Sequence, residues 1–94
     1  MSDLRYRLDL SEDALLSLRL IREHSPTKID NVLEGLERLR SSPTMRSQRS
    51  VPPFPLDTQL YRFQVDAATE CVVLFRFGAD EQTLLIDAVV IWHP

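Results

Sequence analysis

The 94-residue chain has only two glycines, one cysteine, two histidines and, against ten arginines, a single lysine, Lys28. Each shortage closes off a class of function. With glycine only at Gly35 and Gly78, no glycine-rich phosphate loop can be written into the sequence. Collagen-like and glycine-rich low-complexity readings go the same way. Cys71 has no disulfide partner, and it sits in the apolar run Cys71-Val72-Val73-Leu74-Phe75. It reads as a small buried hydrophobe, because a reactive thiol needs a basic, accessible setting. His24, His93 and Cys71 are too scattered for a zinc pattern, so neither a metal nor another cofactor is expected. No G-x-S-x-G elbow is present. The longest uninterrupted apolar run, Ala88–Trp92, is far too short to span a bilayer. The opening Met1-Ser2-Asp3-Leu4-Arg5 has no apolar signal core, so a cytoplasmic protein without membrane partners is expected.

What remains is an ordinary globular composition, 44% hydrophobic and 27% charged. At 10.9 kDa it makes one small domain, residues 1–94. So small a core is marginally stable on its own, which favours a homodimer or an obligate complex. The net charge of −3 excludes a polycation built to coat nucleic acid. The charge is uneven: residues 1–50 hold nine bases and eight acids, residues 51–94 two bases and six acids. Arg38, Arg40, Arg46 and Arg49 form a stretch without an acid. The preference for arginine suits phosphate or carboxylate partners equally.

Along the chain, Leu4, Tyr6, Leu8 and Leu10 alternate with polar residues, the period of a strand. Ser11 is an N-cap candidate with Glu12 and Asp13 behind it, and Ala14, Leu15, Leu18 and Ile21 recur at helical spacing over Glu12–His24. Ser25-Pro26 breaks and restarts the helix, with Ser25 able to cap and Pro26 suited to the first helical position. Ile29, Val32, Leu33, Leu36 and Leu39 carry the second helix over Pro26–Arg40, and the short link makes an antiparallel helical hairpin. Residues 43–58, with four prolines, read as a long loop containing a short extended piece near Arg46–Val51. Three strands follow: Tyr61, Phe63 and Val65 alternating with Arg62 and Gln64; Cys71–Phe77 after a hairpin loop at Asp66–Glu70; and Thr83–Trp92 after a turn at Gly78–Glu81. The order β-α-α-β-β-β predicts an α+β fold with a helical hairpin on one face of a mostly antiparallel sheet.

This order, with its phrases, resembles the RelE/ParE superfamily of type II toxin–antitoxin toxins over nearly the whole chain. "YRLDLSEDALLSL" is similar to the family's opening strand and capped helix. "VLEGLERLRSSP" is similar to its second helix and proline turn, and "LYRFQV", "CVVLFRF" and "LLIDAVVIWH" to its closing meander. The resemblance implies a first strand beside the last, helices on one face, and a concave basic open face. It also implies a cognate antitoxin that wraps the toxin. RelE-type members cleave messenger RNA on the ribosome, whereas ParE-type members poison DNA gyrase.

Metal-free RNA cleavage needs a base for the 2′-hydroxyl, an acid for the 5′-oxygen, and cations for the phosphate. The family's Tyr-Lys-x-Lys stretch falls on Tyr61-Arg62-Phe63-Gln64, so one base becomes an always-protonated arginine and the other a neutral amide. Its Tyr-Arg pair falls on Cys71-Val72, which puts valine where a phosphate-holding arginine is expected. The chain stops at Trp92-His93-Pro94, short of the family's C-terminal basic and tyrosine positions. His93 has the right ordinary pKa for acid or base work.

By strand parity the open face carries Arg62, Gln64, Arg76, Asp87 and His93, with Val90 and Trp92 on the opposite side. Arg62, Arg76 and His93 are therefore the catalytic candidates. Arg46, Arg49 and Gln64 are the binding candidates, the two arginines as phosphate contacts. Each also has a plainer reading: Arg76 and Asp87 as a cross-strand pair, His93 as a frayed end, Arg46 and Arg49 as a solvated loop. Trp92 reads as core or dimer contact. The departures at Gln64, Val72 and the tail favour a non-nucleolytic, gyrase-directed toxin. A diverged nuclease acting on messenger RNA at the ribosome, and a binding module that dimerises through its open face, are the alternatives.

Overall fold

The computed structural model describes residues 5–49 and 57–93. Its elements are β1 (Arg7–Leu10), α1 (Glu12–His24), α2 (Pro26–Ser41), α3 (Pro43–Arg46), β2 (Gln48–Arg49), β3 (Gln59–Asp66), β4 (Thr69–Phe77) and β5 (Thr83–Trp92). The sheet order is β1-β5-β4-β3-β2, with β1 parallel to β5 and every other pair antiparallel. The expected α+β architecture holds. The stretch read as a long loop contains the one-turn α3 and the two-residue β2, which pairs with the start of β3. Leu4, assigned to the first strand by alternation, lies outside the described residues.

Local chemistry explains the helices. Ser11 caps α1 by accepting a hydrogen bond from the Ala14 N–H at 3.0 Å, and Glu12 and Asp13 stand in the first turn where the helix dipole favours acids. Arg22 and His24 stand in the last turn. At the restart, the Ser25 side chain makes no cap hydrogen bond, contrary to expectation. The start of α2 rests instead on Pro26 and on the Lys28 N–H donating to the Ser25 carbonyl at 2.8 Å.

Both helices bury one stripe on one side of the sheet. Ala14 and Ile21 of α1, and Ile29, Val32, Leu36 and Leu39 of α2, pack on alternating residues of the long strands. Those are Tyr61, Phe63 and Val65 of β3, Cys71, Val73 and Phe75 of β4, and Leu84, Ile86 and Val89 of β5. Gly35 belongs to this contact, because a Cβ there would stand 2.1 Å from Phe63 Cζ. Glycine lets α2 lie flush on the Phe63 ring. Cys71 is fully buried, and burial pushes its thiol up to about 12, so it is a core side chain as read from sequence.

The last strand departs from simple alternation. Phe75 pairs with Ile86 and Leu74 with Ala88, so Asp87 is an extra residue between them, a β-bulge. Up to Ile86 the even-numbered residues face the helices, and from Val89 onward the odd-numbered ones do. The bulge is tied to the start of α1. The Ser11 N–H donates to the Ile86 carbonyl at 3.0 Å, and the Ser11 hydroxyl to the Asp87 carbonyl at 2.9 Å.

Candidate functional site

Neither long helix covers the other side of the sheet, so its chemistry is read directly from strand register. Leu60, Leu74 and Ala88 form one cross-strand row. Arg62, Val72 and Val90 form the next, and Gln64, Glu70 and Trp92 the third. Val90 and Trp92 are half exposed, at 50% and 49%. The face is an apolar centre with charged groups placed among its rows.

Arg62, Arg76 and Arg7 are each matched with a carboxylate. Arg62 reaches diagonally to Glu70, its Nε and Nη2 donating to the same carboxylate oxygen at 3.1 and 2.9 Å. Arg76 presents its fork to Asp87, with Nε to Oδ2 at 2.9 Å and Nη2 to Oδ1 at 3.2 Å. The Asp87 carboxylate holds the Arg76 guanidinium still more firmly protonated than usual. At the β1 edge, Arg7 donates to Asp80 at 3.0 Å. The Asp80 carboxyl is held below its usual range by the Gln82 N–H first, then by the Thr83 hydroxyl and Arg7. As partly exposed pairs, Arg62–Glu70 and Arg76–Asp87 stabilise the fold only modestly, by about 0.2–1 kcal/mol each. Their larger consequence is that the donor edges suited to a phosphate already bind carboxylates. The Arg62 guanidinium also lies over the Trp92 ring, 5.6 Å from its centre.

His93 is elsewhere. Its Nδ1 is 3.2 Å from the hydroxyl oxygen of Thr69, a fully buried residue of the helix-covered side. The same hydroxyl accepts from Lys28 of α2 at 3.1 Å, and Lys28 is ion-paired with Asp66. The lysine, helped by the Ala68 N–H, holds the Asp66 carboxyl down at about 2. Close by, the Asn31 amide donates to the Val65 carbonyl at 3.0 Å, so this cluster ties α2 to the β3–β4 hairpin.

Of the sequence-derived candidates, the structure brings together Arg62, Gln64, Arg76 and Asp87 on the open side. Gln64 turns its amide to the Asp66 carbonyl at 3.1 Å. It does not bring His93 to them, and it reverses the side expected for Val90 and Trp92, because the bulge at Asp87 shifts the parity of everything after it. Trp92 is therefore not a core residue. Arg46 ends α3 and Arg49 ends β2, but their side chains lie outside the described set, and no contact is assigned to them. The sequence reading missed Glu70, which it placed in a hairpin loop. The turn is tighter, with Asp66 opposite Thr69, and that register sets Glu70 beside Arg62. An arginine and a glutamate eight residues apart across a tight hairpin are the signal that was available.

The site can hold neutral or mixed-charge matter against an apolar centre. Acid–base catalysis needs groups that reach one substrate from one side. Arg62 and His93 point to opposite sides of the sheet.

The helical hairpin on one side of this sheet matches the fold of solved RelE-like toxins. The chain is similar to a chain of the RelBE2 toxin–antitoxin complex from Mycobacterium tuberculosis (TM-score 0.71, 18% identity, 96% of this chain and 99% of that one). It is also similar to the YoeB dimer of Staphylococcus aureus (TM-score 0.65, 8% identity, 96% and 99%) and to a YoeB/ParE toxin from Agrobacterium tumefaciens (TM-score 0.65, 8% identity, 93% and 99%). No family model matches the chain, and no curated protein matches its sequence.

Proposed function

We propose that this chain is the toxin component of a type II toxin–antitoxin module, silenced by a cognate antitoxin, and that it acts without cutting RNA. The fold shared with toxins, one of them from an antitoxin complex, supports the first part. One observation carries the second: Arg62 and Arg76, the open-side arginines among the catalytic candidates, each point their forks at a carboxylate of the same sheet. Val72 in place of the family's arginine and His93 on the far side support it further. A protein target such as DNA gyrase suits an apolar face with paired arginines better than an RNA phosphate backbone does. The dimeric S. aureus YoeB and the half-exposed Val90 and Trp92 support self-association when no antitoxin is bound.

The test is expression of the chain alone and together with the small reading frame beside its gene. Growth arrest that the neighbouring product relieves is expected. Protein synthesis should continue at first while a DNA-damage reporter rises, and Arg62→Ala should leave the arrest in place. An immediate halt in translation that Arg62→Ala relieves would replace this proposal with a diverged messenger-RNA endonuclease using Arg62, Arg76 and His93. No arrest at all would make the chain a non-toxic binding module.

A further inference from the structure

We infer that Glu70 and Asp87 are specificity-determining residues: by filling the guanidinium forks of Arg62 and Arg76 they turn polyphosphate ligands away from the open side of the sheet. The two arginines lie on that side, on neighbouring strands, β3 and β4. Arginine's planar fork suits phosphate as well as it suits carboxylate. An RNA ligand gains affinity when protein cations replace its counterions, and this gain scales with the number of phosphates neutralised. An arginine already satisfied by a carboxylate at 2.9 Å offers little of that gain, and its partner's charge repels the incoming phosphate. The four charges cancel two against two, and Leu60, Val72, Leu74, Val90 and Trp92 lie beside them on that side. Removing the carboxylates and keeping the arginines is then a gain-of-function change.

This selectivity extends the reading of a toxin that does not cut RNA, but it is measured in vitro, apart from toxicity. The probe is a short fluorescein-labelled single-stranded RNA, followed by anisotropy on the full chain between about 50 and 200 mM salt. E70Q/D87N releases two forks, so its log-affinity against log-salt slope should be steeper than wild type by about 1.4, or roughly 0.7 per phosphate on a single strand. Across that salt range the variant should lose about sevenfold more affinity than wild type does. E70Q and D87N alone should each give half the change in slope. E12Q/D30N removes as much negative charge from the helices and should leave the slope at its wild-type value, which separates fork release from net charge.

The pair-neutral variants R62Q/E70Q and R76Q/D87N should bind RNA as wild type does. This comparison reads the wild-type face and does not depend on the unbalanced variants folding. Wild type binding RNA about tenfold tighter than either pair-neutral variant would show that the arginines already hold phosphate, and the inference fails. It fails equally if folded E70Q/D87N, judged by its circular-dichroism melt, keeps the wild-type slope. A toxin that proves to cut RNA inside cells while these slopes hold would overturn the proposed function and leave this selectivity standing.

Discussion

Along β4, Cys71, Val73 and Phe75 have no exposed surface, whereas Val72, Leu74 and Arg76, one residue out of step, are only partly covered. The two sides of one strand thus answer to different demands. The covered side is packed by two helices and admits no change of volume, as Gly35 against Phe63 shows. The open side keeps Val90 and Trp92 half exposed and its arginines Arg62 and Arg76 paired within the sheet. Stability is therefore concentrated on one side and recognition on the other, and matched substitutions test that division. Phe75→Ala should cost about 3–5 kcal/mol in chemical denaturation, since it empties a fully buried ring site. Trp92→Ala removes a larger side chain, yet should cost under about 1 kcal/mol, chiefly its contact with Arg62. Equal costs would mean that the open side is packed as core, and the division would collapse.

Gly35→Ala sharpens the account of the covered side. Alanine is the better helix former by about 1 kcal/mol, so an exposed site would gain from the change. Here the new methyl meets the Phe63 ring, and a net loss of about 1–3 kcal/mol is expected from overpacking. Phe63→Leu in the same chain should recover part of that loss, and a melt showing no recovery would place the strain elsewhere. Ser11→Ala is the next smaller change, at about 1–2 kcal/mol. It removes both the α1 cap and the hydrogen bond to the Asp87 carbonyl that holds the bulge. Because the bulge decides which side Trp92 occupies, the variant should also shift the emission of this sole tryptophan.

The covered side was largely legible in the sequence, because each of its signals is local. Helical spacing marks Glu12–His24 with the bounds observed, and alternation marks Leu8 and Leu10 as the inward residues of β1. The cross-strand pair of Arg76 and Asp87 was also within reach, since both lie before the parity change. The rest of the open side was not. Nothing in Ile86-Asp87-Ala88 announces a bulge, and the residue hydrogen-bonded to it is Ser11, 76 residues away in sequence. Counting by twos through Asp87 therefore exchanges Trp92 with His93. Glu70 was hidden by the same kind of non-local fact: whether it sits in a loop or a strand depends on the register of β4 against β3.

The Lys28–Asp66 pair tests how the covered side is fastened at its edge. Asp66 binds Lys28 and the Ala68 N–H as a carboxylate, which lowers its pKa from 3.8 to about 2. A carboxyl depressed in the folded chain stabilises it above the unfolded value, and that contribution fades as pH falls through the folded value. The melting temperatures of wild type and Asp66→Asn should therefore differ by a constant amount above about pH 5, with wild type higher, and converge between about pH 4 and 2. Lys28→Met removes the largest cause of the shift, so its own melting curve should lose this component of the acid dependence. Glu70→Gln provides the contrast from the open side. It breaks a partly exposed surface pair whose removal should cost only about 0.2–1 kcal/mol, a shift of about 1–5 °C in the melt. If Asp66→Asn stays less stable than wild type at pH 2, the amide rather than the lost charge is responsible. The fastening of α2 to the hairpin would then rest on Thr69, Asn31 and packing instead of on the ion pair.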